Sequence, residues 1–243
     1  MNVAVVFNEH SHLSVEHLAA LGRRIQKLFT GASFVTCRGF GHTYIEDSSV
    51  LEVGRVLDYK QRITMMVQTL LQKKPDYVVS VGGDGLASYI ASTIAKKAEH
   101  VVMLGIAAGT ANVGPIVSFS LDELNSLTFA DLEVVSIDGI EVVDETGYLG
   151  LGFNDVILGN SFLGTEHGTC CNLSVESLLI HGERVPVKVG KRITTERFMV
   201  VIDGHPKQLF SQLPIAQIVV TPLQFDKLYG RAIFGGLCLG HDI

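Results

Sequence analysis

The stretch Val78-Val79-Ser80-Val81-Gly82-Gly83-Asp84-Gly85 decides the fold of this chain. Its short apolar run, rich in β-branched residues, predicts a buried strand, and three glycines then surround one aspartate. The following segment, Leu86 to Lys97, is compatible with a helix. Glycine lets the main chain approach a ligand closely, and the N–H groups at the start of a helix attract anions. The stretch therefore predicts an anion-binding turn at the carboxyl edge of a parallel sheet.

A second glycine-containing turn, residues 105–112, follows the next predicted strand, Val101 to Gly105. Strands joined by a right-handed helical crossover lie parallel in one sheet, so both turns are expected at the same edge. Asn8, at the end of the first predicted strand, is expected at this edge and is a candidate pocket residue. The nearby His10 and His12 are interpreted as solvated loop residues, with ligand contact as the alternative.

The hydrophobic pattern predicts two domains of different class. In the first part, buried strands alternate with helices predicted at Val15 to Phe29 and Tyr59 to Gln72, which is typical of an open parallel α/β sheet. From Asp131 onward, apolar and polar residues alternate as in antiparallel strands, and a turn at Gly139 is predicted to join two of them. We expect an α/β domain of residues 1–122 and a mainly antiparallel β domain of residues 123–243.

Composition excludes several classes of function. The 243 residues are 47% hydrophobic and 18% charged with a formal net charge of −6, and the basic residues are scattered, so a nucleic-acid-binding face is not expected. No apolar run reaches the ~18 residues of a membrane helix, and the first residues lack the basic region of a signal peptide. A cytoplasmic protein without membrane association is therefore expected.

Cysteine and histidine residues near position 170 raise the question of a zinc site. Glu166, His167, Cys170 and Cys171 are ligand types, but adjacent cysteines rarely bind one ion well. No second Cys/His pair lies at zinc-finger spacing. This segment is therefore interpreted as a loop on the substrate side, and no metal-binding residues are predicted.

Three motifs, taken in order, resemble the superfamily of NAD kinases and diacylglycerol kinases. They are Gly82-Gly83-Asp84-Gly85, the turn at 105–112, and Phe153-Asn154-Asp155-Val156. Residues 154–165 and 229–238 are similar to phrases of its ATP-NAD kinase-like branch, of the acetoin-catabolism protein X type. The resemblance covers most of residues 76–238. Relatives of this branch continue with further strands, and whether the second domain is incomplete at Ile243 stays open.

The resemblance implies roles for individual residues. Asp84 would be the general base that takes the proton of an attacking hydroxyl, or would help to hold Mg²⁺. The implied nucleotide-binding residues are Gly82, Gly83 and Gly85 of the first turn, Gly109, Thr110 and Asn112 of the second, and Asn154 and Asp155. Phosphoryl transfer requires mainly alignment and charge neutralisation, which one carboxylate, oriented amides and a metal would supply.

The function implied is an ATP-dependent kinase that phosphorylates a hydroxyl of NAD or a related nucleotide in a cleft between the domains. A homo-oligomer is expected by the same resemblance. Leu86 stands where relatives usually have threonine, and the Thr-Pro-Thr-Gly-Ser-Thr-Ala-Tyr segment of NAD kinases is missing. Two alternatives therefore stay open. One is a lipid kinase, which Ala108-Gly109-Thr110-Ala111-Asn112 favours, and the other is a module that binds a nucleotide without turning it over.

Overall fold

The structure is a computed structural model. It describes residues 1–8, 11, 13–54, 58–97, 100–109, 114–153, 156–166, 169–188, 197–202, 205–210, 217–221 and 236–240. The described chain divides into two compact units, the first containing the residues up to 153 and the second those from 156 onward. No helix within the described ranges is long and apolar enough to cross a membrane.

The first unit is built on a six-stranded sheet in which all neighbouring strands are parallel. Its strands are β1 (Asn2–Phe7), β2 (Ser33–Cys37), β3 (Ser49–Leu51), β4 (Tyr77–Gly82), β5 (Val102–Ala107) and β6 (Val117–Phe119). The spatial order is β3-β2-β1-β4-β5-β6, so the chain winds outward in both directions from the centre. The order reverses between β1 and β4, which are neighbours in the sheet.

Four helices cover the two faces of this sheet: α1 (Val15–Leu28), α2 (Tyr59–Leu71), α3 (Asp84–Lys97) and α4 (Leu121–Ser126). Val3, Val5 and Phe7 of β1 pack in one cluster with α1 and α4. Ala4 and Val6, which point to the opposite face, pack with α2 and α3. Because both faces are buried, β1 and β4 show continuous apolar runs rather than alternation.

Local capping explains where the predicted helices begin. The Ser14 hydroxyl accepts a hydrogen bond from the backbone N–H of His17, and α1 starts at Val15 as predicted. The Asp58 carboxylate does the same for Gln61 at the start of α2, which begins at the predicted Tyr59. Such side chains satisfy N–H groups that the first helical turn leaves unpaired.

The first antiparallel pair differs from the prediction. Strand β7 (Ile140–Asp144) pairs with β8 (Gly147–Gly152), so the turn lies at 145–146 and not at Gly139. Residues 132–139 form no regular strand, although they alternate apolar and polar side chains. A strand needs a hydrogen-bonding partner as well as a suitable pattern, and this segment leaves Val134 64% exposed. The predicted strand at 132–138 is therefore wrong.

The second unit consists mainly of antiparallel strands. They are β9 (Val156–Leu158), β10 (Ser161–Glu166), β11 (Thr169–Ser174), β12 (Arg197–Ile202), β13 (His205–Phe210), β14 (Gln217–Thr221) and β15 (Gly236–Gly240). Strand β14 pairs with β9 and β15, whereas β10 with β11 and β12 with β13 form hairpins. Within the described part of this unit, one helix, α5 (Val175–His181), follows β11.

The predicted fold class is confirmed, because an open parallel α/β sheet precedes a separate antiparallel region. The structure adds two short edge strands, β3 and β6, that the sequence pattern did not reveal. The boundary predicted between residues 122 and 123 falls inside α4. It stays a prediction of where an independently folding domain would end.

Candidate active site at the carboxyl edge of the parallel sheet

The first glycine turn joins the end of β4 directly to the start of α3. Strand β4 ends at Gly82, and Asp84 is the first residue of the helix. The carbonyl oxygen of Gly83 accepts the first helical hydrogen bond, from the N–H of Ala87 at 3.1 Å. Asp84 thus places its negative charge at the positive end of the helix dipole, where a carboxylate or a ligand anion is stabilised.

The carboxylate of Asp84 also connects this turn with the segment that precedes β6. Its Oδ2 accepts a hydrogen bond of 3.0 Å from the backbone N–H of Gly114. The residue is half-buried, so the hydrogen bond holds the carboxylate in one orientation at the border between core and solvent. Sequence reasoning missed Gly114, since a backbone N–H leaves no residue-type signal.

Backbone hydrogen bonds continue beyond the ends of the three central strands. The N–H of Asn8 donates to the carbonyl oxygen of Val81 at 2.8 Å, and the N–H of Ala108 donates to that of Gly82 at 2.9 Å. Asn8, the first glycine turn and the start of the second turn therefore lie side by side at one sheet edge. This is the topological switch point of the sheet, between β1 and β4, where open α/β proteins bind ligands.

Ser11 is a site residue that sequence reasoning also missed. Its hydroxyl donates to the carbonyl oxygen of Ala108 at 3.3 Å and accepts from the N–H of Leu13 at 3.2 Å. The loop after β1 is thereby fastened to the loop after β5. The adjacent His10 and His12 are candidates by their chemistry, but both lie outside the described residues.

Residue 82 must be glycine because the side chains of Leu86 and Asn8 approach its Cα closely. A Cβ at this position would lie 2.9 Å from Leu86 Cδ2 and 3.3 Å from Asn8 Cβ. Leu86 is only 3% exposed and packs in the same cluster as Val6 and Ile90. The position where relatives usually carry threonine thus faces the core in this chain, and Leu86 fills the space above Gly82.

Two of the three glycines at the turn are accessible. Gly83 is half-buried and Gly85 is exposed, whereas Gly82 is buried. A narrow crevice beside Asp84 is lined by Ser88, Gly114, Pro115, Ile116 and Phe153, and it is too small to hold a water molecule. A ligand at this turn would therefore lie on the open side of the edge, against Gly83 and Gly85.

Several predicted residues lie outside the described part of the chain: Thr110, Asn112, Asn154, Asp155 and His167. Gly109 is described and lies two residues after the end of β5. The segment interpreted as a loop near residue 170 is instead a hairpin, in which Glu166 of β10 pairs with Thr169 of β11. Within the described ranges, no three His, Cys, Asp or Glu residues are grouped so that they could hold a metal ion.

A model of a known protein family matches most of the first unit. The family model described as the diacylglycerol kinase catalytic domain matches residues 3–120, which run from β1 through β6 and include both glycine turns. These residues belong to the superfamily of NAD kinases and diacylglycerol kinases. The resemblance carried by the sequence motifs is thereby confirmed at the superfamily level. In this kinase-like domain, Asp84 begins α3 directly after the central strand β4 and its glycine turn. This is the edge of the sheet at which such α/β domains bind ligands.

Comparison with individual proteins provides less information about function. No curated protein matches the chain. A solved structure similar to it is described as the crystal structure of yeast NADH kinase complexed with NADH. The two are 12% identical, and the similarity covers 94% of this chain and 71% of that chain with a TM-score of 0.39. A TM-score of this size is too low to support a conclusion about substrate or site.

Proposed function

We propose that the chain is a phosphotransferase that moves the terminal phosphoryl group of ATP to a hydroxyl of NAD or of a related nucleotide. The observation that supports this proposal is the held carboxylate of Asp84, at the start of α3, within a kinase-like domain. A group that is to accept a proton during catalysis must be fixed near the reacting hydroxyl. The hydrogen bond from Gly114 provides such fixation.

The proposed role of Asp84 is that of the general base. Its carboxylate would take the proton of the acceptor hydroxyl while the hydroxyl oxygen attacks the terminal phosphorus and ADP leaves. An ionised carboxylate offers about four lone-pair sites, so accepting the N–H of Gly114 leaves capacity for the acceptor proton. The N–H groups at the start of α3 and at the accessible Gly83 and Gly85 would bind phosphate oxygens.

The residues present are compatible with Mg²⁺. Magnesium in kinase sites is usually held by one or two carboxylates together with substrate phosphates and water, and it does not require a cage of protein ligands. Asp84 supplies one such carboxylate at this edge of the sheet. When bound, Mg²⁺ would neutralise charge on the phosphates. Asp84 would then hold the ion in place of, or in addition to, its role as a base.

A lipid acceptor is the second candidate. The family model that matches residues 3–120 is that of the diacylglycerol kinase catalytic domain, and the residues of the second glycine turn favour the same acceptor. In this case Asp84 would play the same part, and the acceptor hydroxyl would belong to a diacylglycerol-type lipid. Experiment must therefore determine which acceptor is phosphorylated.

The decisive experiment is a phosphoryl-transfer assay with the purified full chain. ATP and Mg²⁺ would be supplied with NAD, NADH, nucleosides or diacylglycerol in mixed micelles, and labelled product measured. We expect turnover of one acceptor class, and a loss of about 10²-fold to 10⁴-fold in Asp84→Asn, the range typical of a general base. Asp76→Asn is the matched control, because Asp76 precedes β4 at the opposite edge of the sheet and its carboxylate likewise accepts a backbone N–H, that of Asn2 at 2.7 Å.

Two outcomes would overturn the proposal. Full activity of Asp84→Asn would show that Asp84 is not the general base. No turnover of any acceptor would show that the chain is not a phosphotransferase. If ATP or NAD then still raised the melting temperature, the chain would be a nucleotide-binding module. A ligand that binds only the folded state stabilises it by RT ln(1 + [L]/Kd).

The domain limits 1–122 and 123–243, a homo-oligomer, a cytoplasmic location and membership in the acetoin-catabolism protein X type belong to the same proposal. Size-exclusion chromatography with light scattering would test the oligomer, and expression of residues 1–122 alone would test the first limit. A fragment that fails to fold alone would move that limit beyond α4.

A further inference from the structure

A groove of about 360 Å³ lies between α2, α3 and β8 of the first unit, away from Asp84. Among the described residues that line it, the charged ones are all lysines: Lys60 on α2, and Lys96 and Lys97 on α3. The chain as a whole carries a formal net charge of −6. These three lysines therefore give the groove a local charge opposite to that of the protein, which favours anionic ligands.

The lysines lie at opposite ends of the groove. Helices α2 and α3 run in the same direction, because each connects strands that are parallel in one sheet. The rings of Tyr59 and Tyr89 are in contact, with centroids 6.1 Å apart, so Lys60 lies beside the first half of α3. Lys96 follows Tyr89 by seven residues, which is about 10 Å of helix rise.

The part of the groove between the lysines is uncharged. Thr64 and Gln68 follow Lys60 at intervals of four residues and so continue the same stripe of α2. The hydroxyl of Ser92 donates to the carbonyl oxygen of Leu151 at 2.8 Å, and this hydrogen bond fastens β8 to α3 as the opposite wall. Hydroxyl and carboxamide groups alongside the side chain of Leu151 fit a ligand whose middle is neutral.

One lysine is held in place before any ligand binds. The ammonium of Lys96 lies 3.2 Å from the centroid of the Tyr148 ring. Such a cation–π contact restricts a side chain that would otherwise be mobile in solvent. An anion at this end would meet a cation whose conformational entropy has already been reduced, which favours binding.

The carboxylates of Asp58 and Glu141 lie close to the groove but do not line it. Burial raises the pKa of Tyr89, with a smaller contribution from Asp58, and burial and Glu141 do the same for the pKa of Tyr148. Asp58 is engaged at the start of α2, where its Oδ1 accepts a hydrogen bond of 2.7 Å from the N–H of Gln61. The lysines therefore dominate the charge that a ligand in the groove would meet.

We propose that this groove binds an elongated small molecule that carries an anionic group, phosphate or carboxylate, near each end. The two groups would be about 10 Å apart, which is the helix rise from Tyr89, near Lys60, to Lys96. This binding does not depend on the phosphotransferase activity proposed above, because the groove does not include Asp84.

The test is calorimetric titration of the full chain with two long dianions, fructose 1,6-bisphosphate and azelate. Inorganic phosphate and succinate serve as short probes. We expect at least one long dianion to bind about tenfold more tightly than the short probe of its own chemistry, since two charge-assisted contacts replace one. Tight binding of the bisphosphate alone would identify a phosphate ligand, and tight binding of azelate would identify a carboxylate ligand.

Variants distinguish binding in the groove from a general charge effect and from binding at the glycine turn. The pair Lys60→Gln and Lys96→Gln is expected to weaken binding about tenfold or more, whereas Lys27→Gln with Lys73→Gln removes the same charge from positions outside the groove and should change nothing. Lys60→Gln alone, at an exposed position, must also weaken binding. Asp84→Asn should bind the probe normally.

The proposal is overturned by any of three results. The first is no heat of binding at millimolar concentrations of both long probes. The second is an equal loss of affinity in the control pair, which would indicate only a general charge effect. The third is a changed affinity in Asp84→Asn, in either direction, which would place the probe at the glycine turn. Failure of the kinase assay leaves all three readouts unaffected.

Discussion

Leu86 lies directly against the turn at Gly82, with its Cδ2 2.9 Å from the position that a Cβ on residue 82 would occupy. The Leu86 side chain thus packs against the glycine turn on the side that faces the core. Because Leu86 is almost fully buried, the turn is supported by hydrophobic packing. The absence of side-chain atoms at residue 82 is a condition for this packing.

Gly82→Ala is expected to lower the free energy of unfolding by about 1–3 kcal/mol, since the added methyl overpacks the space between Leu86 and Asn8. Gly85→Ala is the matched control, because a Cβ there meets nothing within 4 Å and the residue lies in a helix. Urea unfolding measures both. In a Leu86→Ala background the cost of Gly82→Ala should shrink; an unchanged cost would show that Leu86 is not the obstacle.

Asp84→Ala should destabilise the protein by about 1–3 kcal/mol, because the N–H of Gly114 loses its acceptor. Asp84→Asn retains an oxygen that can accept this hydrogen bond and should cost less. The amide shift of Gly114 in ¹⁵N NMR spectra reports the bond directly. Equal destabilisation by the two variants, with equal shifts, would show that the charge of Asp84 matters rather than the hydrogen bond.

Cys37 is expected to be unreactive in the folded protein. Burial, with a smaller effect of Glu52, raises the pKa of its thiol to about 12 from an ordinary value of 9.0. Alkylation at pH 8, read by peptide mass spectrometry, should modify Cys37 only in urea. Modification of Cys37 at equal rates with and without urea would contradict this expectation.

The raised pKa of Cys37 has a direct consequence for stability at high pH, because the folded state keeps a proton that the unfolded state releases earlier. Its stabilising contribution is complete below the unfolded pKa of about 9 and is lost as pH rises toward about 12. The urea midpoint should therefore fall as pH rises through this window, and it should fall less in Cys37→Ala. A parallel fall in both proteins would assign the effect to other groups.

Ser80→Ala is expected to be neutral or stabilising. Ser80 is 1% exposed in the central strand β4, and its hydroxyl has no hydrogen-bond partner within the described ranges. A buried hydroxyl without a partner costs free energy that alanine does not. Thr36→Val is the contrasting variant, because the Thr36 hydroxyl bonds that of Ser48 at 3.1 Å. It should cost about 0.5–1.5 kcal/mol in urea unfolding.

Features that depend on local chemistry could be predicted from the residues. Ser14 and Asp58 fix the starts of two helices through hydrogen bonds within three residues, so the residue types alone carry the signal. The continuous apolar runs of β1 and β4 predict central parallel strands for a similar reason, since burial on both faces requires them. The position of the glycine turn follows from these strands.

Features that depend on distant partners could not be predicted. Gly114 and Ser11 act through hydrogen bonds to residues 30 and 97 positions away, and nothing near them in the sequence indicates this. Gly139 has the residue type of a turn but lies against the Leu151 side chain, where a Cβ would come within 3.0 Å. The pattern at 132–138 is misleading because alternation does not provide a partner strand.

The hydrogen bond between Asp84 and Gly114 closes a loop of thirty residues that contains α3 and β5. Closing such a loop costs chain entropy, which is recovered only when the enclosed helix and strand have packed and paired. We therefore expect the Asp84 carboxylate to acquire its fixed orientation only after α3 has packed and β5 has paired. A partly folded chain can contain the whole Gly-Gly-Asp-Gly turn and still lack the oriented acid.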